Sequence, residues 1–573
     1  MNHLPPDVGD GSVCASFTAD GSWLSVGTTD PDLGFVELSG MPPFRDADRG
    51  DVAAVRAYRL LMEDVSTAFL RVRGAAPIRR AAFGGAITQA YSVSGADPVV
   101  VEFAGRLERP AYAEVTDVSP LPAIDLDSRA SVDARRLRVR STARVGACID
   151  VEQDGASVRW VATSPNTATV ELAGGGNGEF TVTVAVCRDA AVPTAAAVPT
   201  GNLVDDVVSS WLVVPDRHRA KVVGIADAAL RYSLGCTVLT AGDGFRTILT
   251  DHRILPLSWT RDAYYQARAL LAAGIAGEAV SAHLRWLWLC CDRPNHLWQR
   301  SHQANGKAKD VAVQADQQLY PILELFDHRD VLGHWPPPEA AAEWGRLAAA
   351  TWDALPRDEV TGMLRSDENP ADDVADLPLL LSTEVLHWSA ACRMAAHAVE
   401  LGLERRAEEF VAEAAAVRSA VTRGFVIVGP FGTQWAYAID GRGEQRHYHD
   451  ANDLPVALAP FLGFVARDDT AWDATMRFAF SPHNPAFVPG PGGGLGSLHT
   501  PGVWPLGDIQ EWMWASAAGD NRRVDRVLSR LTTVQRGGML PEAYDPGTAA
   551  WRSRRWFAWP GAVVAALVAS AHG

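Results

Sequence analysis

Two hydrophobic periods divide the chain. Up to about residue 205, segments such as SVCASFTADGSWLSVG, DPVVVEFAG, TATVELAGG and EFTVTVAVC alternate β-branched and polar residues between Gly, Asp, Asn or Pro turns. This period of two predicts an antiparallel β domain, with one helix at residues 51–65. The Pro- and Ala-rich residues 190–202 interrupt the pattern and are typical of a linker. We therefore predict two domains, 1–205 and 206–573.

The second part is Ala- and Leu-rich, and its apolar residues recur at helical spacing. DAYYQARALLAAG, STEVLHWSAACRMAAHAVELG and RRVDRVLSRLTTVQ are examples among about a dozen such segments, which are joined by long polar loops. Two rings of six helices, an (α/α)6 barrel, would use all of them. The loops at one end of such a barrel form a pocket, which would explain why these connections exceed the usual 2–8 residues.

Composition limits the class of partner. The chain has 573 residues, 68 acidic and 52 basic, with a formal net charge of −16. This balance argues against a nucleic-acid or anionic-membrane surface, because both need clustered Lys and Arg. The 19 tryptophans are consistent with sugar stacking, although tryptophan also fills large cores. We expect a carbohydrate or another small, neutral partner; the oligomeric state stays open.

The cysteines and the N-terminal residues indicate in which cellular compartment the protein is expected. The seven cysteines match neither a disulfide framework nor a Cys-x-x-Cys metal site. MNHLPPDVGDGSVC lacks the basic, then apolar, start of a signal peptide, and no window offers about 18 uncharged apolar residues. We expect a soluble cytoplasmic protein without a cofactor.

Two loops carry candidate acids. In LPLSWTRDAYYQ, Asp262 could cap a helix and pair with Arg261; alternatively, the pair binds sugar hydroxyls while Trp259 faces the ring. MLRSDENPADDVADLP could be a solvated acidic loop. In a pocket, however, repulsion between Asp372 and Asp373, together with burial, would raise one pKa towards that of a general acid.

Three further loops follow. Asp440, His447, His449 and Asp450 include a His-x-His pair, but no third or fourth zinc-type ligand accompanies it, so we predict no metal. The Gly-rich loop before His499 and Trp504 lacks the Lys-Ser/Thr ending of a phosphate loop. Glu542 stands alone in GGMLPEAYDPG, where the ordinary expectation is a solvated side chain.

Taken together, these loops fit the two carboxyl groups that glycoside hydrolysis needs. The segments LPLSWTRDAYYQ, QADQQLYPIL, NPADDV, YAIDGRGEQRHYHDANDLPVALAPFLGF, NPAFVPGPGGGLGSLHTPGVWPL and RRWFAWPGA resemble, in order and rough spacing, glycoside hydrolase family 125, the metal-independent exo-α-mannosidases. The resemblance covers about residues 250 to 565.

The resemblance implies roles for individual residues. Asp372 would be the general acid, with Asp373 as sugar ligand or substitute, and Glu542 the general base of an inverting mechanism. Further positions would bind substrate or wall the site: Trp259, Arg261, Asp262, Asp316, Asp450, Asn452, His499, Trp504, Trp556, Phe557 and Trp559.

Departures from the family leave alternatives open. LPEAY around Glu542 looks more like the glucoamylase-type enzymes of family 15, so an α-glucosidase is the second hypothesis. The β domain lies outside the resemblance. Many bacterial glucoamylase-like enzymes carry an N-terminal β-sandwich, so we expect the antiparallel β domain of this chain to be a β-sandwich that is followed by the (α/α)6 barrel. A phosphorylase would not need Glu542. A carbohydrate-binding protein would have lost catalysis, and an epimerase would rely on His447 and His449.

Overall fold

The structure is a computed structural model of the chain. It describes residues 7–18, 20–40, 68–94, 98–110, 112, 121–133, 136–142, 145–153, 160–172, 178–188, 203–204, 206–207, 209, 211–240, 244–337, 339–554 and 557–569. The predicted helix at 51–65, the predicted linker at 190–202 and Trp556 lie outside these residues.

The chain forms two compact units. The first comprises Met1–Leu203, Arg231–Ser258 and Gln303–Lys307, and the second Val204–Leu230, Trp259–His302 and Ala308–Gly573. The division of the sequence into domains 1–205 and 206–573 stays a prediction.

The first unit is built on two antiparallel sheets. Its strands are β1 Asp7–Gly9, β2 Cys14–Phe17, β3 Trp23–Asp30, β4 Gly34–Gly40, β5 Leu70–Arg73, β6 Ala75–Phe83, β7 Ala86–Val93, β8 Val99–Arg109, β9 Ile124–Asp125, β10 Arg129–Asp133, β11 Arg136–Arg140, β12 Val145–Gln153, β13 Val161–Ser164, β14 Thr167–Leu172 and β15 Gly178–Arg188. One sheet has the order β1-β2-β3-β4-β8-β14-β13, with β5 and β9 also paired to β8. The other has the order β10-β11-β12-β15-β7-β6.

Alternation along the strands explains why the sheets share a core. In β12, Val145, Ala147, Ile149 and Val151 are buried while the residues between them are partly exposed, because successive side chains of a strand point to opposite faces. These residues belong to one apolar cluster with Phe17, Trp23 and Val26 of the other sheet and further residues of both. The predicted antiparallel β region is therefore confirmed.

The described residues include twelve α-helices. They are α1 Asp216–Cys236, α2 Thr260–Ala272, α3 Gly277–Leu289, α4 Ala315–Leu332, α5 Ala341–Ala354, α6 Leu381–His397, α7 Ala407–Gly424, α8 Leu454–Leu458, α9 Thr470–Ala479, α10 Pro505–Ala517, α11 Asn521–Val534 and α12 Ala558–Ala569. Short two- to four-residue strands lie in the connections at Thr237–Leu239, Arg246–Ile248, Leu257–Ser258, Ser301–Gln303, Ala308–Asp310, Leu379–Leu380, Val426–Gly429, Gly432–Trp435, Ala438–Ile439, Gln445–Arg446, Phe487–Val488, Gly494–Leu495, Ala543–Tyr544 and Trp551–Ser553. The predicted helix-rich second part is confirmed.

The even-numbered helices of the second unit pack against one another in chain order and close a ring. Helix α2 packs on α4, α4 on α6, α6 on α8, α8 on α10, α10 on α12, and α12 returns to α2. Helix α12 is hydrophobic all round, with ten of its twelve residues buried, as a helix surrounded by others must be. Several predicted site residues lie in the first turns of α2, α4 and α12 or just before α8 and α10.

No helix among the described residues combines the length and apolar character needed to cross a bilayer. Most of the tryptophans that suggested sugar stacking lie in the interior instead. Those with almost no exposed surface include Trp23, Trp160, Trp286, Trp298, Trp344, Trp352, Trp472 and Trp512. The richness in tryptophan therefore reflects core packing at least as much as ligand binding.

Candidate active site

The N-terminal ends of α2 and α4 are not capped by their own N-cap side chains, and residues of other elements bind their free amides. Trp259 and Gln314 occupy the two N-cap positions in extended conformation, and neither makes a side-chain cap hydrogen bond. The Thr260 amide donates instead to Gln317 Oε1 at 2.9 Å, and the Ala315 amide to Ser366 Oγ at 3.0 Å. Neighbouring elements thus satisfy the helix ends, which leaves Gln314 available to the site.

Arg261 is the centre of the site. Its Nη1 donates to Gln314 Oε1 and Asp316 Oδ2, each at 3.1 Å, and its Nη2 donates to Asp372 Oδ1 at 3.1 Å. The guanidinium carbon lies 5.2 Å from the ring centre of Trp559. Arg261 is only 3% exposed, so its charge acts on these carboxylates with little screening by water.

The charges around Arg261 set the protonation of its partners. Burial alone would lower the pKa of the guanidinium, but Asp316, Asp372 and Asp262 raise it. Burial raises the pKa of Asp316 although Arg261 lowers it. Burial also acts to raise the pKa of Asp372, yet Arg261 and Arg300 outweigh it and leave that pKa lowered. Repulsion from a neighbouring carboxylate was expected to raise one pKa in this loop; for Asp372 the two arginines dominate.

The loop that carries Asp372 and Asp373 is held by one asparagine. Asn369 Oδ1 accepts from the amides of Ala371 at 2.8 Å and Asp373 at 3.2 Å, and the Asp372 amide donates to the Asn369 carbonyl at 3.0 Å. Asp372 has a φ of 64°, a left-handed conformation that Asp tolerates better than most residues but that still costs about 1–3 kcal/mol. The surrounding contacts offset this strain and fix the side chain beside Arg261.

Three residues at the acid loop were missed by sequence reasoning. Gln314 Nε2 donates to Asp372 Oδ1 at 2.6 Å and to Glu368 Oε2 at 3.1 Å. Arg300 Nη1 donates to Glu368 Oε1 at 3.2 Å and to the Asp372 carbonyl at 3.5 Å. Gln314 begins the segment QADQQ, in which only Asp316 had been singled out, and nothing around Arg300 signals a site.

Asp373 points to a different partner. Its Oδ1 lies 3.1 Å from His499 Nδ1. Burial alone would lower the pKa of the imidazole, but the hydrogen bond to Asp373 and the charges of Glu542, Asp373 and Asp372 raise it to about 9. His499 is therefore a cation at neutral pH, and it stands within electrostatic reach of both predicted catalytic carboxyl groups.

Glu542 is buried rather than solvated. It is 4% exposed, its Oε1 lies 3.9 Å from Arg554 Nη1, and its Oε2 has no hydrogen-bond partner among the described residues. The Glu542 amide donates to the Arg554 carbonyl at 3.1 Å. An unpartnered buried oxygen is costly unless something binds it, which favours the functional interpretation of this residue.

The segment after Glu542 is tied to the loop of His499. Tyr544 and Val503 exchange backbone hydrogen bonds of 2.8 and 3.0 Å. The Tyr544 hydroxyl donates to Asp508 Oδ2 at 2.7 Å, and Arg530 donates from Nε to Asp508 Oδ1 at 2.8 Å. Asp508 is fully buried in the first turn of α10. These bonds join the segment after Glu542 to the loop between His499 and α10.

Asp450 and Asn452 form a second polar group. Asp450 Oδ1 accepts from the Asn452 amide at 2.8 Å and from its Nδ2 at 2.7 Å, and Tyr448 donates to Oδ2. The Leu498 amide, next to His499, donates to the Tyr448 hydroxyl at 3.4 Å. Asp453, which had not been singled out, is buried beside them, and its pKa is raised by burial and by the charge of Asp450.

The predicted aromatic walls differ in what they contact. Trp259 and Trp559 are buried, and their indole N–H groups have no hydrogen-bond partner among the described residues. Trp504 precedes α10, and its Nε1 donates to the Thr500 carbonyl at 2.9 Å. Phe557 lies 4.6 Å from the Arg554 guanidinium.

The predicted residues thus fall into groups. Arg261 contacts both Asp316 and Asp372, Asp262 lies 3.9 Å from the Arg261 Nε, and Asp373 pairs with His499. His449 is buried against Gln510 at 2.8 Å whereas His447 is exposed, so the two imidazoles do not share one environment. Within the described part of the chain, no three His, Cys, Asp or Glu side chains are arranged to hold a metal ion.

Comparison with protein families supplies the relationship. The model of the metal-independent alpha-mannosidases, glycoside hydrolase family 125, matches residues 349–569. A curated protein of Schizosaccharomyces pombe, the meiotically up-regulated gene 157 protein, is 26% identical over 226 residues. That alignment covers 37% of this chain and 43% of the yeast protein, less than half of the relative's length.

Solved structures extend the likeness to the fold. A metal-independent α-mannosidase of Streptococcus pneumoniae, in a non-productive complex with α-1,6-mannobiose, matches with a TM-score of 0.50 at 20% identity and covers 61% of this chain and 93% of its own. A bacterial glucoamylase complexed with acarbose matches with a TM-score of 0.59 at 14% identity and covers 100% of this chain and 94% of its own.

The predicted resemblance to family 125 is confirmed over residues 349–569. The match includes Asp372, Asp373, Asp450, His499 and Glu542 but stops short of Arg261 and Asp316. The structure adds Arg261 by its contact with Asp372, and Asp316 by its contact with Arg261.

Proposed function

We propose that this chain, whose residues 349–569 match the metal-independent α-mannosidases of family 125, is an inverting exo-α-glycosidase. It would release terminal α-linked hexose from oligosaccharides or small glycosides, with α-mannosides as the favoured substrates. Asp372 would be the general acid and Glu542 the general base.

One observation carries the proposal most directly. Glu542, alone in a loop, is buried with an unpartnered Oε2, and its charge reaches His499, which pairs with Asp373 next to Asp372. Burying a charged carboxyl group without a partner is unfavourable, so a Glu without a function in this loop would be expected to remain in solvent. Hydrolysis with inversion requires two carboxyl groups, one acid and one base, and Asp372 and Glu542 come from two separate loops.

The residues would divide the reaction as follows. Asp372 gives its proton to the departing glycosidic oxygen as the bond to the anomeric carbon breaks. Glu542 takes a proton from the water that attacks the opposite face of the same carbon, so one water is consumed and two hydroxyl groups are formed. In inverting enzymes the two carboxyl groups stand roughly 6.5–9.5 Å apart, which leaves room for this water, and the mechanism requires the same separation between Asp372 and Glu542.

The architecture we propose for the second unit is the (α/α)6 barrel. The closed sequence of neighbours α2, α4, α6, α8, α10 and α12 supports an inner ring of six helices, with the other six outside it. The contacts of Arg261, Asp316 and Asp372 come from the N-terminal ends of this set and from the loop before α6. A pocket at one end of the inner ring would follow.

The remaining residues would hold the sugar. Trp259 and Trp559 offer indole N–H groups that need an acceptor, which sugar hydroxyl groups can supply. Asp316, Asp450 and Asn452 are buried polar groups of the kind that fix hydroxyl orientation. Asp262, Asp373, His499 and Trp504 complete the proposed substrate residues, and Trp556 is proposed from the sequence alone.

Proton NMR of hydrolysis tests the proposal. The purified protein is incubated with α-1,6- and α-1,2-mannobiose, isomaltose, maltose, trehalose, and aryl α-mannoside and α-glucoside. We expect one hexose to appear first as its β-anomer from an α-mannoside. If the α-anomer appears first, the water mechanism is wrong and a nucleophile exists. No release from any substrate would contradict the proposed hydrolase and favour a carbohydrate-binding protein.

An α-glucoside specificity is the second candidate. The sequence LPEAY around Glu542 resembles the family 15 enzymes more than family 125. Release of β-glucose from maltose or isomaltose, with mannosides untouched, would favour it. The same carboxyl groups would then perform the same reaction on a sugar with an equatorial 2-hydroxyl group.

The choice between Asp372 and Asp373 as general acid is tested by leaving-group dependence. We expect Asp372→Asn to lose about 10²–10⁴-fold in kcat on a disaccharide and to lose far less on a 2,4-dinitrophenyl glycoside, whose leaving group needs no proton. Asp373→Asn, which removes the negative charge that faces His499, should lower activity on both substrates alike. The reverse pattern would assign the acid to Asp373.

A further inference from the structure

Glu368 has a place in the site that neither the mechanism nor the family match explains. It lies four residues before Asp372 and is 15% exposed in its side chain, close to the 14% of Asp372. Gln314 Nε2 donates to both carboxyl groups, at 3.1 Å to Glu368 and 2.6 Å to Asp372. Arg300 Nη1 likewise contacts the Glu368 carboxylate and the Asp372 carbonyl.

Two carboxyl groups that share donors cannot titrate independently. One amide nitrogen bonded to both places the two acceptor oxygens within a few ångströms of each other. At that separation in a partly buried pocket, the charge on one carboxylate opposes ionisation of the other. Burial, with the charges of Asp372 and Asp310, raises the pKa of Glu368 although Arg300 and Gln314 act to lower it.

The catalytic cycle makes this coupling useful. After each turnover an inverting enzyme must return a proton to its general acid, while its base releases one to water. In the substrate-free site, Arg261 and Arg300 favour the ionised form of Asp372, which is the wrong form for the next turnover. A neighbouring carboxylate that opposes this ionisation offsets part of the effect of the two arginines.

We propose that Glu368 is a positioning residue for the general acid: it orients Gln314 and Arg300, and its negative charge makes loss of the Asp372 proton less favourable than the two arginines alone would make it. This inference rests on the proposed function, since it takes Asp372 as the acid. The groups that face the pair are few enough to name. Glu368 faces Arg300, Asp310 and Asp372, and Asp372 faces Arg261, Arg300, Asp316 and His499.

The variant Glu368→Gln tests the charge while leaving an amide oxygen to accept from Arg300. Removal of the charge should lower the pKa of Asp372, and the alkaline limb of kcat/KM should move to lower pH by about 1 unit. The matched control is Asp367→Asn, since Asp367 is the exposed neighbour on the same loop; we expect no such movement there. Glu368→Asp, which keeps the charge, should retain most of the wild-type limb.

A second measurement separates this inference from the proposed function. Carbon-13 titration of labelled aspartate carboxyl groups, with Asp372 assigned from its absence in Asp372→Asn, needs no turnover. We expect the Asp372 titration to move to lower pH in Glu368→Gln and to stay in place in Asp367→Asn. An unchanged titration would overturn the role of Glu368 even in an active enzyme, whereas a moved titration in a protein that hydrolyses nothing would overturn only the hydrolase.

A structural role alone would give a different pattern. If Glu368 only braces the loop, Glu368→Gln should lower kcat by the same factor at every pH and on every leaving group, with the alkaline limb in its wild-type position. That result would also overturn the proposal. Thermal melts of the three variants identify any that fail to fold. If Glu368→Gln is among them, the alkaline limb of Glu368→Asp is compared with that of the wild type instead.

Discussion

Replacement of Glu542 by Gln should abolish turnover while sugar binding survives. The substitution keeps the shape of the side chain but removes its ability to take a proton from water, so we expect kcat to fall by about 10²–10⁴-fold. Calorimetric titration with the released hexose should give an affinity close to that of the wild type. Kinetics on the substrate identified by NMR provide the first measurement.

Added azide, as an external nucleophile, tests directly whether Glu542 acts as the base. Azide needs no base, so it should restore turnover of Glu542→Gln on an activated α-glycoside and give the β-glycosyl azide. Glu359→Gln serves as the matched control, because Glu359 is exposed and lies on the same unit. A Glu542→Gln variant that keeps its kcat would show that another group activates the water.

The sequence was informative where periodicity is simple. Strands β8, β14 and β15 coincide with segments whose alternation had predicted them, and α2, α6 and α11 begin within two residues of the predicted segments. Long, strongly periodic segments bury one face whatever their neighbours are. Periodicity could not predict which tryptophans are buried in the core, because an indole suits a core and a sugar-binding site equally well.

The site was partly readable because its carboxyl groups stand in distinctive loops. Asp372 and Glu542 could be singled out from local composition and resemblance, but the protonation of Asp372 could not. Its pKa depends on Arg261 and Arg300, which lie 111 and 72 residues away along the chain. Gln314 and Glu368 were missed for the same reason, since their role appears only when the fold brings the loops together.

Replacement of Arg261 by Met should destabilise the second unit as well as inactivate it. The guanidinium is the counter-charge of Asp316 and Asp372 and is almost fully buried. Removing one partner of a buried charge pair costs about 3–5 kcal/mol, because the charges left behind are unpaired in a poorly solvated site. Urea unfolding followed by tryptophan fluorescence should therefore give a lower midpoint at neutral pH.

The pH dependence of this loss identifies its cause. In the wild type the pKa of Asp372 is lowered, so its contribution to stability is complete above the unfolded pKa of about 3.9 and is lost as the pH falls through the folded value. Without Arg261, burial raises the pKa of both carboxyl groups, and they protonate at higher pH. The difference between wild type and variant should be largest near pH 7 and shrink towards pH 4.

A control and an opposite outcome complete the argument. Arg405→Gln removes an exposed guanidinium from the same unit and should leave the midpoint unchanged at every pH. A loss in Arg261→Met that is equally large at pH 7 and pH 4 would indicate lost packing against Trp559 rather than lost charge. The two contributions are separable because protonation of Asp316 and Asp372 removes the need for a counter-charge but leaves the cavity beside the indole unfilled.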